Sequence, residues 1–139
     1  MMAERIKRER PAPTPTNITK PFWDAVNEDR FLLQYDPEVE KYQFYPRGLS
    51  LHTGKRNLEW REVTGRGTVY SYTETVIPAR GFEGEEPYLI AAVDLDEGVR
   101  LMSLLHNCAT DDVEIGMPVK LCWDKINDDF QYFAFEPDR

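Results

Sequence analysis

Cysteine and histidine are almost missing from the 139 residues: Cys108, Cys122, His52 and His106 are the full set. Two thiols make no disulfide framework, and both are expected as small buried residues in strands. That usage predicts a cytoplasmic location. Long apolar runs are also lacking, so nothing approaches the roughly 18–20 residues of a membrane helix. The first residues are charged and carry no apolar stretch of the kind a secretory signal needs. Positive charge is in deficit, with 17 Lys and Arg against 25 Asp and Glu, a net charge of -8 and a pI near 4.8. A surface of that sign repels phosphate backbones and weighs against nucleic acid as the main ligand.

What is present is enough for one modest core: 41% of the residues are hydrophobic and 12% of the chain is aromatic. Residues 1–17 read as a flexible or extended arm, basic at first and then marked by Pro11, Pro13 and Pro15. Such a segment buries too little to offset its ordering entropy. A short helix is expected over residues 19–29, with Thr19 as cap and Pro21 in the first turn, where its missing N–H costs nothing. Phe22, Trp23 and Val26 form its apolar stripe. A helix that short is marginal alone in water, so the stripe needs a surface, either the rest of the chain or another subunit. The three residues are candidate partner contacts, together with Tyr72 in a later strand.

Residues 31–35 read as a strand, residues 36–57 show no clear period, and residues 58–63 read as a second strand. From Gly65 the pattern changes to short β segments over residues 67–76, 88–95, 99–105, 119–123 and 131–135. Thr, Val and Tyr fill the first of these, as a pleated, half-buried surface favours. Asp96-Glu97-Gly98 is a tight turn. A long loop over residues 77–87 holds Pro78, Gly81, Gly84 and Pro87. Five short antiparallel strands hide their edges most economically by closing, which predicts an OB-type Greek-key barrel over residues 64–139. An SH3-like barrel or a small sandwich is the alternative.

The residues that carry a family resemblance are Leu58-Glu59-Trp60, the run from Gly65 to Thr73, Pro87-Tyr88, the run from Val93 to Leu101, and Ile115 to Val119, with Pro21-Phe22-Trp23 and Leu33-Gln34 ahead of them. Together they resemble the acyl-CoA-associated OB-fold family over about residues 20–136. The resemblance implies a helix and a rubredoxin-like zinc ribbon (here residues 18–63) ahead of the barrel. It also implies a thiolase-superfamily partner, such as a thiolase, an aldolase or an acyltransferase. The ribbon of that family uses two Cys-x-x-Cys knuckles. Counted back from Leu58-Glu59-Trp60, the knuckle positions fall at Asp36 and Val39, then Ser50 and Thr53. Valine cannot ligate, hydroxyls are poor zinc ligands, and one carboxylate does not hold a structural ion. His52 with Asp36 is too small a set. No zinc or other cofactor is therefore expected. In its place Tyr35, Val39, Tyr42, Phe44, Tyr45 and Leu51 are expected to form a small apolar substitute core.

Catalytic machinery is hard to assemble. His106 and Cys108 are two apart, but no third group to orient them can be identified. The carboxylates fall mostly in turns and read as a solvated surface. The loop over residues 77–87 offers Arg80 and Phe82, a cation beside a ring, for a CoA phosphate and its adenine; Arg47 and Arg66 are weaker candidates. The expected function is thus a non-catalytic accessory subunit that assembles a thiolase-like partner and shapes its acyl-CoA entrance, with the CoA thioester as a shared ligand. A stand-alone acyl-CoA-binding module is the alternative. A single-stranded nucleic-acid-binding OB domain, using Tyr70, Tyr72, Phe82 and Tyr88 for stacking, and a small hydrolase rank below it.

Overall fold

The computed structural model describes residues 8–139; residues 1–7 of the expected arm lie outside them. Pro21 stands in the first turn of helix α1 (Lys20–Val26), which is shorter than the stretch expected. Thr19 precedes it without capping it. Its hydroxyl instead accepts the Thr16 N–H at 2.8 Å, pinning the end of the arm. Seven residues span about 10 Å of helix, too little to persist alone, and packing supplies the rest.

The stripe expected at a partner interface is turned inward. Phe22 and Val26 are fully buried and Trp23 is 5% exposed. Phe22 meets Trp23, Phe31, Phe44, Tyr45 and Phe133 edge-on, at 4.9 to 5.9 Å between ring centres. The chain's own barrel and sheet therefore satisfy α1. These three residues are corrected from partner contacts to core, because nothing of Phe22 or Val26 is left for another surface. Gln131 ties the helix end to the barrel, its amide donating to the Val26 carbonyl at 2.5 Å and to Asp29 at 2.6 Å.

Three strands follow: β1 (Leu32–Asp36), β2 (Lys41–Gln43) and β3 (Glu59–Glu62), in the order β2-β1-β3 and all antiparallel. β2 lies in the stretch that shows no period in sequence. The barrel is built from β4 (Gly67–Thr75), β5 (Tyr88–Leu95), β6 (Arg100–Leu105), β7 (Pro118–Lys125) and β8 (Gln131–Pro137). It closes in the order β4-β5-β6-β8-β7, so the five-stranded OB-type barrel stands as expected. β5 alternates strictly, with Leu89, Ala91, Val93 and Leu95 inward. Gly67 has no room for a side chain, since a Cβ there would lie 2.3 Å from the Asp94 carbonyl oxygen on β5. Only a bare backbone lets the first barrel strand start that close to its neighbour.

The arm is the main departure from expectation. Its described part, residues 8–17, meets the barrel through Arg10 and Pro11. The Arg10 guanidinium makes two hydrogen bonds to Asp124 on β7, at 2.8 and 2.9 Å, and the Pro11 carbonyl accepts from the Tyr132 hydroxyl at 3.2 Å. An arm reading based on composition misses this because the partner is 114 residues away.

Candidate functional site

Two places bring together the residues singled out by sequence. The first is the module built on β1–β3. Asp36, at the end of β1, is fully buried, and Ser50 nearly so. Ser50 Oγ donates to Asp36 Oδ2 at 2.5 Å and Thr53 Oγ1 to the same oxygen at 2.8 Å. Oδ1 accepts the Glu38 backbone N–H at 2.9 Å and the Asn57 side-chain amide at 2.8 Å. Ser50 Oγ in turn accepts the backbone N–H of His52 at 3.1 Å and of Thr53 at 3.3 Å. Three of the four knuckle positions thus converge on one carboxylate. The hydroxyl of Ser50 leads in holding Asp36 well below the usual range, at about 2; burial works against it, and Thr53, the Glu38 backbone and Asn57 add to it.

The fourth position, Val39, is 38% exposed, and Leu51 is 57% exposed. The expected apolar substitute core is corrected accordingly: Val39 and Leu51 face solvent, and much of the fastening is polar. Gln34 accepts the Arg47 backbone N–H at 2.8 Å and donates to the Arg47 carbonyl at 2.7 Å, while Gln43 accepts the Leu51 N–H at 2.8 Å. These buried amides hold a loop with no regular pairing of its own, as buried polar groups must be held. Tyr35 and Tyr42 do pack together, with ring centres 4.8 Å apart.

The second place is the groove under the arm. Phe82, in the loop between β4 and β5, stacks near Tyr88 at 5.2 Å and carries a guanidinium 4.6 Å above its ring. That cation is Arg10, not the expected Arg80, which is exposed in the same loop. Gly81 makes the approach feasible: its φ is +91°, and a Cβ there would lie 2.5 Å from Arg10 Cα. Beside Arg10, His106 Nε2 lies 3.0 Å from Asp124 Oδ2. Burial pushes the Asp124 carboxyl up, but the hydrogen bonds from His106 and Arg10 outweigh it and keep the group far below its ordinary range. Arg47 and Arg66 are exposed, one in the loop after β2 and one just before β4. No described side-chain contact gathers Arg47, Arg66 and Arg80 into one site. Tyr72 is 40% exposed on β4.

Nucleophilic chemistry finds little footing. His106 is engaged with Asp124, and Cys108 Sγ lies 3.5 Å from the Ala109 carbonyl oxygen. Burial raises both thiols, Cys122 to about 11, so neither is a ready thiolate. Arg10 is the residue that sequence reasoning missed. In sequence it is the last of several cations ahead of a proline run, indistinguishable from the other basic residues of the arm.

Comparison with known proteins agrees with this geometry. The family described as "ChsH2, C-terminal OB-fold domain" matches residues 60–124. A "DUF35 domain-containing scaffold protein" of Pyrococcus furiosus is 33% identical over 82% of this chain and 83% of its own length. A "Probable enoyl-CoA hydratase alpha subunit" of Thermomonospora curvata is 33% identical over 96% of this chain, which spans 42% of that relative's length. Among solved structures, "Ltp2-ChsH2(DUF35) aldolase" superposes with a TM-score of 0.80 at 30% identity, over 90% of this chain and 98% of the other. The chain belongs to the DUF35 family, the acyl-CoA-associated OB-fold family its sequence resembles.

The zinc that such a ribbon implies does not fit the residues here. Both oxygens of Asp36 are occupied by four hydrogen-bond donors, the two hydroxyls are committed to them, and the valine offers no donor atom. His52 Nε2 lies 3.2 Å from the Tyr42 carbonyl oxygen rather than on Asp36. Among the described residues there is no group of three or more His, Cys, Asp or Glu side chains suited to a metal ion.

Proposed function

We infer that this chain is a non-catalytic accessory subunit of a thiolase-superfamily complex acting on acyl-CoA thioesters. It helps assemble the partner and shapes the entrance for CoA and its acyl group. The observation that carries this reading is the likeness to the DUF35 chain of the Ltp2-ChsH2 aldolase, which this chain matches across 98% of that chain's length. A "3-oxo-4,17-pregnadiene-20-carboxyl-CoA hydratase alpha subunit" of Mycobacterium tuberculosis, 37% identical over 54% of this chain, supports the acyl-CoA context. The chemistry supports the accessory role: among the described residues no nucleophile stands beside a free base. The chain is proposed to work in the cytoplasm and, with oxygens at three of the four knuckle positions and a valine at the fourth, without zinc.

Co-expression with a thiolase-like subunit from the same organism, followed by size exclusion, tests this. Co-elution, with thioester turnover only in the complex, is the expected result. Turnover of an acyl thioester by the pure chain at an enzyme-like rate, or failure to co-elute, overturns it. The alternative, a stand-alone acyl-CoA binder, predicts micromolar CoA-ester binding by the isolated chain with no partner. The nucleic-acid reading is opposed by charge and by geometry. The Tyr70 ring is covered by Arg100 at 3.4 Å, and Phe82 is covered by Arg10, so two of the four stacking candidates already carry a cation.

A further inference from the structure

Where the barrel closes, β6 and β8 pair only at Leu105 and Phe135 among the described residues. Two residues earlier Ser103 Oγ reaches across to the Phe133 carbonyl at 3.4 Å, and a cavity of about 370 Å³ lies beside this loosely paired seam. Every part of the fold lends it a wall: Pro11 from the arm, Trp23 from α1, Tyr45 from the module, Phe82 from the loop, Met102 from β6 and Phe133 from β8. Cavities of this size lie within the usual range for small-ligand sites, roughly 300–1,000 Å³. At about 30 Å³ per non-hydrogen atom, the share of one water in the liquid, it accommodates roughly a dozen atoms.

The lining says what kind of group. Six of its residues are aromatic, so a flat apolar ring meets ring faces and edges on several sides. Polar groups are few: the Tyr45, Ser103 and Tyr132 hydroxyls and the Arg10 guanidinium, which is held by Asp124. The Tyr45 hydroxyl accepts the Trp23 indole N–H at 2.8 Å, which leaves its own hydrogen to donate. The Leu95 N–H bonds to the Val99 carbonyl, so in the antiparallel ladder the odd residues of β6 face β5. By the same alternation the backbone N–H and C=O of Met102 face the open seam. Met102 is 70% exposed, so this edge is the mouth.

We propose that the cavity under the arm binds the acyl group of the thioester, specifically a ring-bearing apolar one, with the amide-bearing chain next to sulfur pairing along the Met102 edge of β6. The proposal rests on the acyl-CoA reading above and adds a location and a ligand class to it. Arg10 and Pro11 form one wall, so the arm is part of the binding site rather than a tail.

The test uses small probes without a nucleotide, so that phosphate contacts play no part. The full chain is titrated by calorimetry with the phenylacetyl and acetyl thioesters of N-acetylcysteamine. Saturable binding of the phenylacetyl probe, at least tenfold tighter than the acetyl probe, is expected. Met102→Trp at the mouth and Ser103→Phe in the wall are each expected to weaken it at least tenfold while leaving the circular dichroism of the chain unchanged. No binding of the phenylacetyl probe at millimolar concentration overturns the proposal. So does equal binding of the two probes, or unaltered binding by both folded variants. Co-elution of the wild-type chain with its thiolase-like partner is read separately, so loss of the cavity proposal leaves the accessory role standing, and failed co-elution sinks that role instead.

Discussion

Replacing Phe22 with Ala separates two uses of one residue. In sequence Phe22 reads as a contact for either the rest of the chain or a partner; in the fold it is fully buried and meets five aromatic rings within 5.9 Å. Truncating a fully buried Phe to Ala costs about 3–5 kcal/mol, because the transfer free energy of the ring is lost and a cavity is left behind. The upper half of that range applies here, since the neighbours come from α1, the residue just ahead of β1, the module loop and β8 and cannot all collapse inward. For a chain of this length, about 4 kcal/mol corresponds to a fall in Tm of roughly 10–15 °C. Urea unfolding of the isolated F22A chain, followed by tryptophan fluorescence, should show a lower midpoint with an unchanged slope. Phe22→Leu should recover most of the loss. A stability loss under about 1 kcal/mol, combined with failure to co-elute with the partner, would refute the packing argument and return Phe22 to the interface.

Ser50→Ala removes a donor to Asp36 and the acceptor for two backbone N–H groups; an expected loss of about 2 kcal/mol, read by urea unfolding, follows from breaking hydrogen bonds to a charged group. Asp36 has a lowered pKa of about 2, so the stability it contributes is complete above about pH 4 and lost as pH falls toward 2. Asp36→Asn should therefore flatten the acid limb of the stability profile within that window, and an unaltered limb would contradict the role assigned to the carboxylate. Arg10→Ala should expose residues 8–16 to amide exchange and early proteolysis, with Arg10→Lys restoring little because an ammonium cannot bond Asp124 at two points. Gly81→Ala should have a similar effect on the arm, as both the positive φ and the contact with Arg10 oppose a side chain.

The barrel was legible because its signals are local. Alternation along β5, the Asp96-Glu97-Gly98 turn and the spacing of short β segments each need only a few neighbouring residues. β2 was hidden because three residues, Lys41–Gln43, are too few to show a period. The arm and the Asp36 cluster were hidden for another reason. Arg10 meets Asp124 across 114 positions, and Asn57 reaches Asp36 across 21, so no window of sequence contains both partners. The knuckle positions could be found by counting, but that a carboxylate would gather the two hydroxyls around itself follows only from their placement in space. The stripe of α1 is legible as apolar, with either the rest of the chain or another subunit to cover it, and the sequence does not choose between them, since a periodic pattern says that a face is covered and not what covers it.

Thiolate centres share a weakness: peroxide converts their sulfur, and a strong chelator strips their ion. The fastening around Asp36 is made of oxygen and nitrogen atoms with neither liability. On the proposed zinc-free reading, a ribbon closed this way is expected to keep its shape under a chelator or peroxide and to give way instead to strong acid, which unfolding followed by circular dichroism in each condition checks.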